Sequence, residues 1–208
     1  MPIDPFSLVS PPLFTAADIR TIDRQWADSH PAISLMERAG AATADLAGML
    51  GNESGDPVLV LAGPGNNGGD ALSAARLLAA RGCRVVAVSG AAPARLPPDA
   101  ARAWAAWHES GGTLLADIPP SQRYSLVVDG LFGVGLQRDI DGWEARCIEQ
   151  ANALNCPKLA LDVPSGLDAD SGRICGCVLR ADHTLTFIGL KPGLLTADGP
   201  DCAGELHL

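Results

Sequence analysis

Residues 58–82 read VLVLAGPGNNGGDALSAARLLAARG and carry the main evidence for the fold class. The first five residues are all apolar, which predicts a short buried strand, and a glycine-rich turn follows at residues 63–70. Residues 71–82 have the apolar spacing of a helix that ends at Gly82. A wholly apolar strand that leads into a helix is typical of a parallel sheet covered on both faces.

The alternation of strands and helices continues along the chain. Further strands are predicted at RVVAVS (84–89), TLLA (113–116), SLVVDG (125–130), KLALDV (158–163) and HTLTFI (183–188). Helices are predicted at 97–112 and 143–154, and two more precede the first strand, at 15–29 and 32–50. The pattern predicts an α/β fold: a three-layer αβα, Rossmann-like, doubly wound and mainly parallel sheet with two extra N-terminal helices. Those two helices pack on a sheet edge or form a dimer contact.

Composition limits the domain organisation and the partners. The chain has 208 residues, 47% of them hydrophobic, and a formal net charge of −9. We predict one domain over residues 13–208, preceded by a flexible proline-rich arm at 1–12. The arm lacks the features of a signal peptide, and no apolar stretch is long enough to span a bilayer, so we expect a cytoplasmic protein with no membrane partner. The acidic balance argues against nucleic acid but permits an anionic small ligand, because backbone N–H groups can hold phosphate.

The six cysteines and four histidines show no metal-ligand spacing. We therefore expect reduced thiols that pack as small hydrophobic groups. Metal binding or oxidation at Cys175 and Cys177 is the less favoured alternative.

Polar residues concentrate directly after four predicted strands. The segments are GPGNNGGD (63–70), DGLFGVGLQRDIDG (129–142), DVPSGLDADSG (162–172) and GLKPGL (189–194). Ligands of open α/β sheets bind at the carboxyl ends of the strands. Four polar strand ends in one sheet therefore predict a binding site at that edge.

The glycine-rich turn matches G-x-G-x-x-G through Gly63, Gly65 and Gly68, but this motif alone is weak. A dinucleotide-binding dehydrogenase also needs an acidic residue after the second strand, where this chain has VAVSGAA. No G-K-[ST] sequence follows the turn either. A standard dehydrogenase is thus disfavoured, and a Walker-type phosphate loop is excluded.

Asn67, Asp129 and Ser165 place oxygen-bearing side chains at three strand ends. Amide, carboxylate and hydroxyl oxygens suit hard cations, and a single carboxylate favours a monovalent or strongly hydrated divalent ion. The alternative makes Asn67 a turn residue, Asp129 a cap and Ser165 a helix N-cap. The spacing of these residues supports a cation site and a purely structural role equally.

Taken together, four ordered motifs resemble the NAD(P)HX epimerase family, also called the YjeF N-terminal domain. They are GPGNNGGDALSAARLLAARG, DGLFGVGL, LDVPSGLDADSG and ADHTLTFIGLKPGLLTADG, and LFTAADIRTIDRQ and LMERAGAA resemble the two leading helices of the family. The resemblance runs from about residue 13 to 208. It implies an isomerase that interconverts the R and S forms of hydrated NADH or NADPH, which are damaged cofactors with a hydroxyl on C6 of the nicotinamide ring.

The resemblance also implies the site residues. Substrate binding is implied for one asparagine-glycine segment, for one loop and for one aspartate: Asn66, Asn67, Gly68, Gly69 and Asp70; Gly133, Val134, Gly135, Leu136, Gln137, Arg138 and Asp139; and Asp162. A potassium ion is implied at Asn67, Asp129 and Ser165. The chain departs from the family pattern at Ala71, where glycine is frequent, and at Val134, which lacks a hydroxyl.

Two residues are the candidates for catalysis. Asp162 is expected to carry out the proton transfers at C6, with helix capping as its alternative role. Lys191 is expected to hold a phosphate or the nicotinamide amide, or else to be a solvated turn lysine.

The expected partner is an NAD(P)H-hydrate dehydratase, fused to this domain or separate, and a homodimer is expected. The competing hypothesis is a non-catalytic module that binds adenine-dinucleotide metabolites or acts as a scaffold. Such a module would be expected to lose the asparagine segment or the aspartates, which this chain retains. A nucleotide-dependent kinase or dehydratase is a third possibility, but this chain has no ATP-handling motif.

Overall fold

The computed structural model describes residues 11–30, 33–51 and 55–208; residues 1–10 of the predicted arm lie outside the described residues. Within these ranges the strands are β1 (Val58–Ala62), β2 (Val85–Val88), β3 (Leu114–Leu115), β4 (Leu126–Gly130), β5 (Lys158–Leu161), β6 (His183–Leu185) and β7 (Glu205–His207). The helices are α1 (Ala16–Ser29), α2 (Leu35–Leu50), α3 (Asn66–Ala80), α4 (Pro98–Glu109), α5 (Gly142–Ala153) and α6 (Gly199–Ala203). Short 3₁₀ turns cover Pro93–Arg95 and Pro192–Leu194.

The strands form one sheet in the order β3-β2-β1-β4-β5-β6-β7, and all six pairings are parallel. The predicted α/β class and doubly wound topology are therefore confirmed. The chain reverses its direction of winding between β1 and β4, where Val58 pairs with Leu126. In doubly wound sheets this reversal opens a crevice at the carboxyl edge.

The core lies on both faces of the sheet, because successive residues of each strand point to opposite sides. Val58, Val60 and Ala62 of β1 pack with α2, α3 and α4 in one cluster. Leu59 and Leu61 pack on the other face with α5. All five residues of β1 are buried, as the wholly apolar sequence VLVLA predicts. The three-layer αβα prediction is confirmed.

The two leading helices do not behave as a separate pair. Helix α2 belongs to the core, where Met36, Ala44 and Ala47 pack with α3. Helix α1 crosses toward the carboxyl edge: the N–H of Phe14 donates to the carbonyl of Leu190 at 2.8 Å, and that of Ala16 donates to Asp170 at 2.7 Å. Helix α1 therefore contacts loops at the carboxyl ends of the strands, and α2 packs on one face of the sheet; the dimer contact stays a prediction.

Several boundaries differ from the prediction. Helix α3 begins at Asn66, five residues before the predicted start at Ala71, so the segment NNGGD is its first turn. Residue 32, the predicted start of α2, lies outside the described residues, and the helix begins at Leu35. Strand β7 and helix α6 were not predicted, since three and five residues give too little periodicity to recognise. The span 13–208 as one domain stays a prediction.

Candidate functional site

The loops after β1 and β4 meet at the point where the sheet reverses. A Cβ on Gly63 would lie 1.8 Å from the carbonyl oxygen of Leu131, so only glycine permits this approach. A Cβ on Gly133 would lie 3.0 Å from Oδ2 of Asp162 and 3.3 Å from Cγ of Asn67. Glycines thus bring three strand ends into contact, which explains much of the glycine content of these loops.

The asparagine-glycine segment divides into residues that face the site and residues that pack. Asn66 and Asp70 line the cleft described below, as does Asn67, whose Nδ2 donates to the carbonyl of Leu161 at 3.2 Å. Gly68 backs onto Gly63, and Gly69 faces Met36 of α2 and Ala100 of α4. In the structure, Gly68 and Gly69 therefore serve packing.

Asp129 and Ser165 form a buried cluster of oxygen atoms. The hydroxyl of Ser165 donates to Oδ1 of Asp129 at 2.7 Å, and its N–H donates to Oδ2 at 2.9 Å. The N–H of Phe132 donates to the same hydroxyl at 2.9 Å. Burial raises the pKa of Asp129 to about 6, against the opposing hydrogen bonds from Ser165 and Leu131.

The donor set of this cluster fits a monovalent cation. Both Asp129 and Ser165 are completely buried, and Asp129 has no basic partner within the described ranges. A cation beside the carboxylate would offset its desolvation, and the Asn67 side chain at the same edge offers an amide oxygen. The structure brings Asp129 and Ser165 into direct contact, whereas the Asn67 side chain lies beside Gly133 and donates to the carbonyl of Leu161.

Asp162 and Lys191 form a buried ion pair at the centre of the carboxyl edge. The Lys191 ammonium donates to Oδ1 of Asp162, to the hydroxyl of Thr186 at 2.9 Å and to the carbonyl of Phe187 at 2.7 Å. Lys191 is completely buried, so the alternative of a solvated turn lysine is wrong. Because all three protons of the ammonium have protein acceptors, the lysine holds Asp162 in place.

The second carboxylate oxygen of Asp162 faces the cleft. Oδ2 accepts the N–H of Val134 at 3.3 Å. Asp162 has a φ of +69°, in the left-handed region that non-glycine residues seldom adopt. Strain of this kind concentrates at functional sites, and here it turns the carboxylate toward the loop after β4.

Two more carboxyl groups share the cleft with Asp162. Burial raises the pKa of Asp70 well above its usual range, and the negative charges of Asp162 and Asp23 raise it further. Partial burial and the charge of Asp162 likewise raise the pKa of Asp23 on α1. The site therefore combines a carboxylate paired with an ammonium and carboxyl groups whose protonated form is favoured.

The cleft itself has a volume of about 1290 Å³, and α1 and α2 form the wall opposite the sheet edge. Trp26 of α1 and His30, which caps the C-terminus of that helix, stack there with their ring centres 4.0 Å apart. Four arginines also line the cleft: Arg20, Arg24, Arg38 and Arg102. An acidic protein thus presents aromatic and cationic groups at one place, which suits a ligand with rings and phosphates.

The loop predicted at residues 133–139 contributes only its first half to the cleft. Gly133, Val134, Gly135 and Leu136 line it. Gln137, Arg138 and Asp139 are exposed and are not among the lining residues. The Arg138 guanidinium pairs with Asp141 at 3.1 Å and lies over the Phe132 ring.

The contributions of α1 were not predicted from the sequence. Asp23, Trp26 and Arg20 lie on a helix whose pattern predicts one buried face but not what that face covers. A signal was present in the composition, since Trp26 is one of four tryptophans in a chain with only 4% aromatic residues. The described cysteines are free, and Cys147, Cys175 and Cys202 are buried.

Comparisons with known proteins agree with this architecture. Residues 32–193 match the model of a family described as YjeF-related protein N-terminus. The crystal structure of the yeast protein Ynu0 superposes with a TM-score of 0.75 at 22% identity, over 88% of this chain and 82% of that one. At this identity the likeness supports the fold alone.

Curated relatives are considerably more similar in sequence. An NAD(P)H-hydrate epimerase of Bordetella pertussis is 51% identical over 181 residues, which cover 85% of this chain and 78% of that protein. One from Achromobacter xylosoxidans is 48% identical over 88% of this chain and 87% of that protein. A bifunctional NAD(P)H-hydrate repair enzyme of Escherichia coli is 40% identical over 92% of this chain, but over only 38% of its own length.

Proposed function

Because this chain belongs to the YjeF-related N-terminal family, as its sequence motifs predicted, we propose that it acts as an NAD(P)H-hydrate epimerase. It is an isomerase of metabolite repair that interconverts the R and S forms of hydrated NADH and NADPH. The observation that carries the assignment to this site is the Asp162 carboxylate, which is fixed by Lys191 and faces a cleft large enough for a dinucleotide.

The reaction requires proton transfer but no redox step. C6 of the hydrate is a hemiaminal carbon: the ring nitrogen expels the C6 oxygen as water once that oxygen is protonated, and water then adds to the other face and loses a proton. Asp162, which Lys191 holds in a salt bridge, is suited to act as the general base that takes this proton. Asp70, whose pKa burial raises, suits the acid that protonates the leaving oxygen. Such assistance typically accelerates a reaction by about 10²–10⁴.

The rest of the cleft supports binding of the dinucleotide. The arginines on its walls offer charge-assisted hydrogen bonds to the pyrophosphate, and the backbone of residues 133–136 lies beside Asp162. Val134 lacks a hydroxyl, and its backbone N–H donates to Oδ2 of Asp162, so this residue helps to fix the carboxylate.

We also propose a bound potassium ion, held by Asn67, Asp129 and Ser165. The ion would supply a positive charge beside a buried carboxylate and would fix the loops after β1, β4 and β5 relative to one another. Replacement of potassium by lithium, which is much smaller, is therefore expected to abolish activity. Unchanged kinetics in lithium would contradict this role.

A dehydratase that consumes the S form is the proposed partner. Its support is that some relatives are named bifunctional NAD(P)H-hydrate repair enzymes and are much longer than this chain. We propose a homodimer because two apolar side chains, Ile33 and Met49, are exposed near the two ends of α2.

The free thiols support a reducing compartment such as the cytoplasm. Within the described ranges, none of the helices combines the length and apolar character needed to cross a bilayer.

The assay that tests the function is stereochemical. Pure R-form hydrated NADH is mixed with the protein, with and without potassium, and the R and S forms are followed by chromatography. We expect the parent protein to catalyse the equilibration of the two forms. Asp162→Asn should abolish this catalysis but still bind the substrate, as calorimetry would show. Binding without acceleration over the spontaneous rate would favour the non-catalytic binding module.

A further inference from the structure

Two histidines and a glutamate form a cluster at the edge of the sheet, away from the cleft. His183 begins β6, while Glu205 and His207 lie on β7, the edge strand. His183 pairs with Glu205 in register, and His207 is two residues further along the same strand. Register partners and residues two apart point to the same face of a sheet, so all three side chains converge on one side.

The distances match a coordination sphere. Nδ1 of His183 lies 3.2 Å from Nε2 of His207, and carboxylate oxygens of Glu205 lie 3.7 Å from each of these nitrogens. Zn²⁺ binds histidine nitrogen at about 2.0–2.1 Å, so two tetrahedral nitrogen ligands are about 3.3–3.4 Å apart. The two rings therefore already have the spacing that a shared ion requires, and Glu205, which is half-exposed, needs only a small side-chain movement.

We propose that His183, Glu205 and His207 bind a divalent transition-metal ion, with Zn²⁺ as the ion that fits best. Two imidazoles and one carboxylate form the ligand set of many sites for zinc-type ions, and the fourth position faces solvent beside Glu205. The ion would join the short edge strand β7 to β6. None of the three residues lines the cleft or belongs to the proposed potassium site.

The competing arrangement is a hydrogen bond between the two rings, with Glu205 as a surface acid. That arrangement accounts for the 3.2 Å distance without any ion. It predicts no binding of Zn²⁺, whereas a metal site predicts a one-to-one complex that all three side chains support.

The experiment is calorimetric titration of the full chain with Zn²⁺ in potassium-containing buffer, with Co²⁺ absorption as a second readout. We expect one ion per chain with a dissociation constant below about 10 µM, and a rise in Tm of about 5–11 °C when free Zn²⁺ is a hundredfold above that constant. His183→Gln and Glu205→Gln should each weaken binding at least tenfold. His108→Gln, which changes an exposed histidine on α4, is the matched control and should leave binding unchanged.

Three outcomes would overturn the proposal. The first is no heat of binding at about 100 µM Zn²⁺. The second is unchanged affinity in both His183→Gln and Glu205→Gln, and the third is a thiolate-to-Co²⁺ charge-transfer band, which would assign the ion to cysteines. Glu205→Gln alters an exposed side chain, so it remains informative if a histidine variant fails to fold, and circular dichroism checks each variant.

Discussion

Replacing Lys191 by methionine tests the energetic basis of the site. The substitution keeps the unbranched shape and most of the volume of the side chain but removes the ammonium, which is completely buried and donates to Asp162, Thr186 and Phe187. Asp162 is then left as a buried carboxylate without its partner. Removal of one member of a buried ion pair destabilises a protein by about 3–5 kcal/mol.

The same free energy sets the expected change in melting temperature. For a domain of this size, 1 kcal/mol corresponds to about 2–4 °C, so Lys191→Met should lower Tm by about 6–20 °C. Lys158→Met is the matched control, because the other lysine of the chain donates to two backbone carbonyls near the surface and makes no ion pair within the described ranges. We expect it to change stability by about 1 kcal/mol or less.

A double-mutant cycle separates the ion pair from simple packing. Asparagine tolerates the left-handed backbone conformation of residue 162, so the stability lost in Asp162→Asn comes from the unpaired ammonium of Lys191. The double variant removes both charges of the pair, so neither is left unpaired, and it should lose at least about 1 kcal/mol less than the sum of the single variants. Urea unfolding gives the three free energies. Additive losses, or a Lys191→Met loss no larger than that of Lys158→Met, would refute the reasoning.

Three further predictions follow from the same geometry. Gly133→Ala should reduce epimerisation at least about tenfold while preserving the fold, because its Cβ would crowd Asp162, whereas Gly48→Ala on α2, outside the cleft, meets no atom within 4 Å and should retain activity; equal rates would contradict this. The raised pKa of Asp70 means that the fold holds this proton more tightly than the unfolded chain does, so the contribution of Asp70 to the stability of the parent falls as pH rises from about 4. Asp70→Asn cannot ionise, and its stability relative to the parent should therefore increase between pH 4 and pH 8, as measured by urea unfolding; a pH-independent difference would oppose this. Burial raises the pKa of Cys147 to about 12, so its thiol should resist alkylation at pH 8 in the folded protein and react in urea, as peptide mass spectrometry would show; rapid labelling of the folded protein would be the contrary result.

Strands and their polar ends were predictable because their signals are local. VLVLA in β1 and LVVDG in β4 are buried runs that end in polar residues, and the topology rule places such ends together. The start of α3 was missed, since asparagines and glycines are weak helix formers in isolation. Tertiary contacts override that preference here, where Gly69 packs under Met36.

The pairings within the site were less accessible from the sequence. Asp129 and Ser165 are 36 residues apart, and Asp162 and Lys191 are 29 apart. Nothing local distinguishes a buried lysine from an exposed one, and lysines are almost never fully buried without a partner. The role of Asp23 depends on where α1 docks, which its amphipathic pattern leaves open.

The strand order also has a consequence for biosynthesis. Residues 58–115 contain β1, β2 and β3 with their two helices, and these strands are neighbours in the sheet, so all the partners for their mutual contacts are synthesised before β4. The cleft is different, because its base joins the loop after β1 to Asp129, Asp162 and finally Lys191, the last of which is made near the end of this chain. A nascent chain therefore contains one side of the sheet before it contains all residues of the site, and a product truncated ahead of Lys191 retains the glycine-rich loop but lacks the ammonium that holds Asp162.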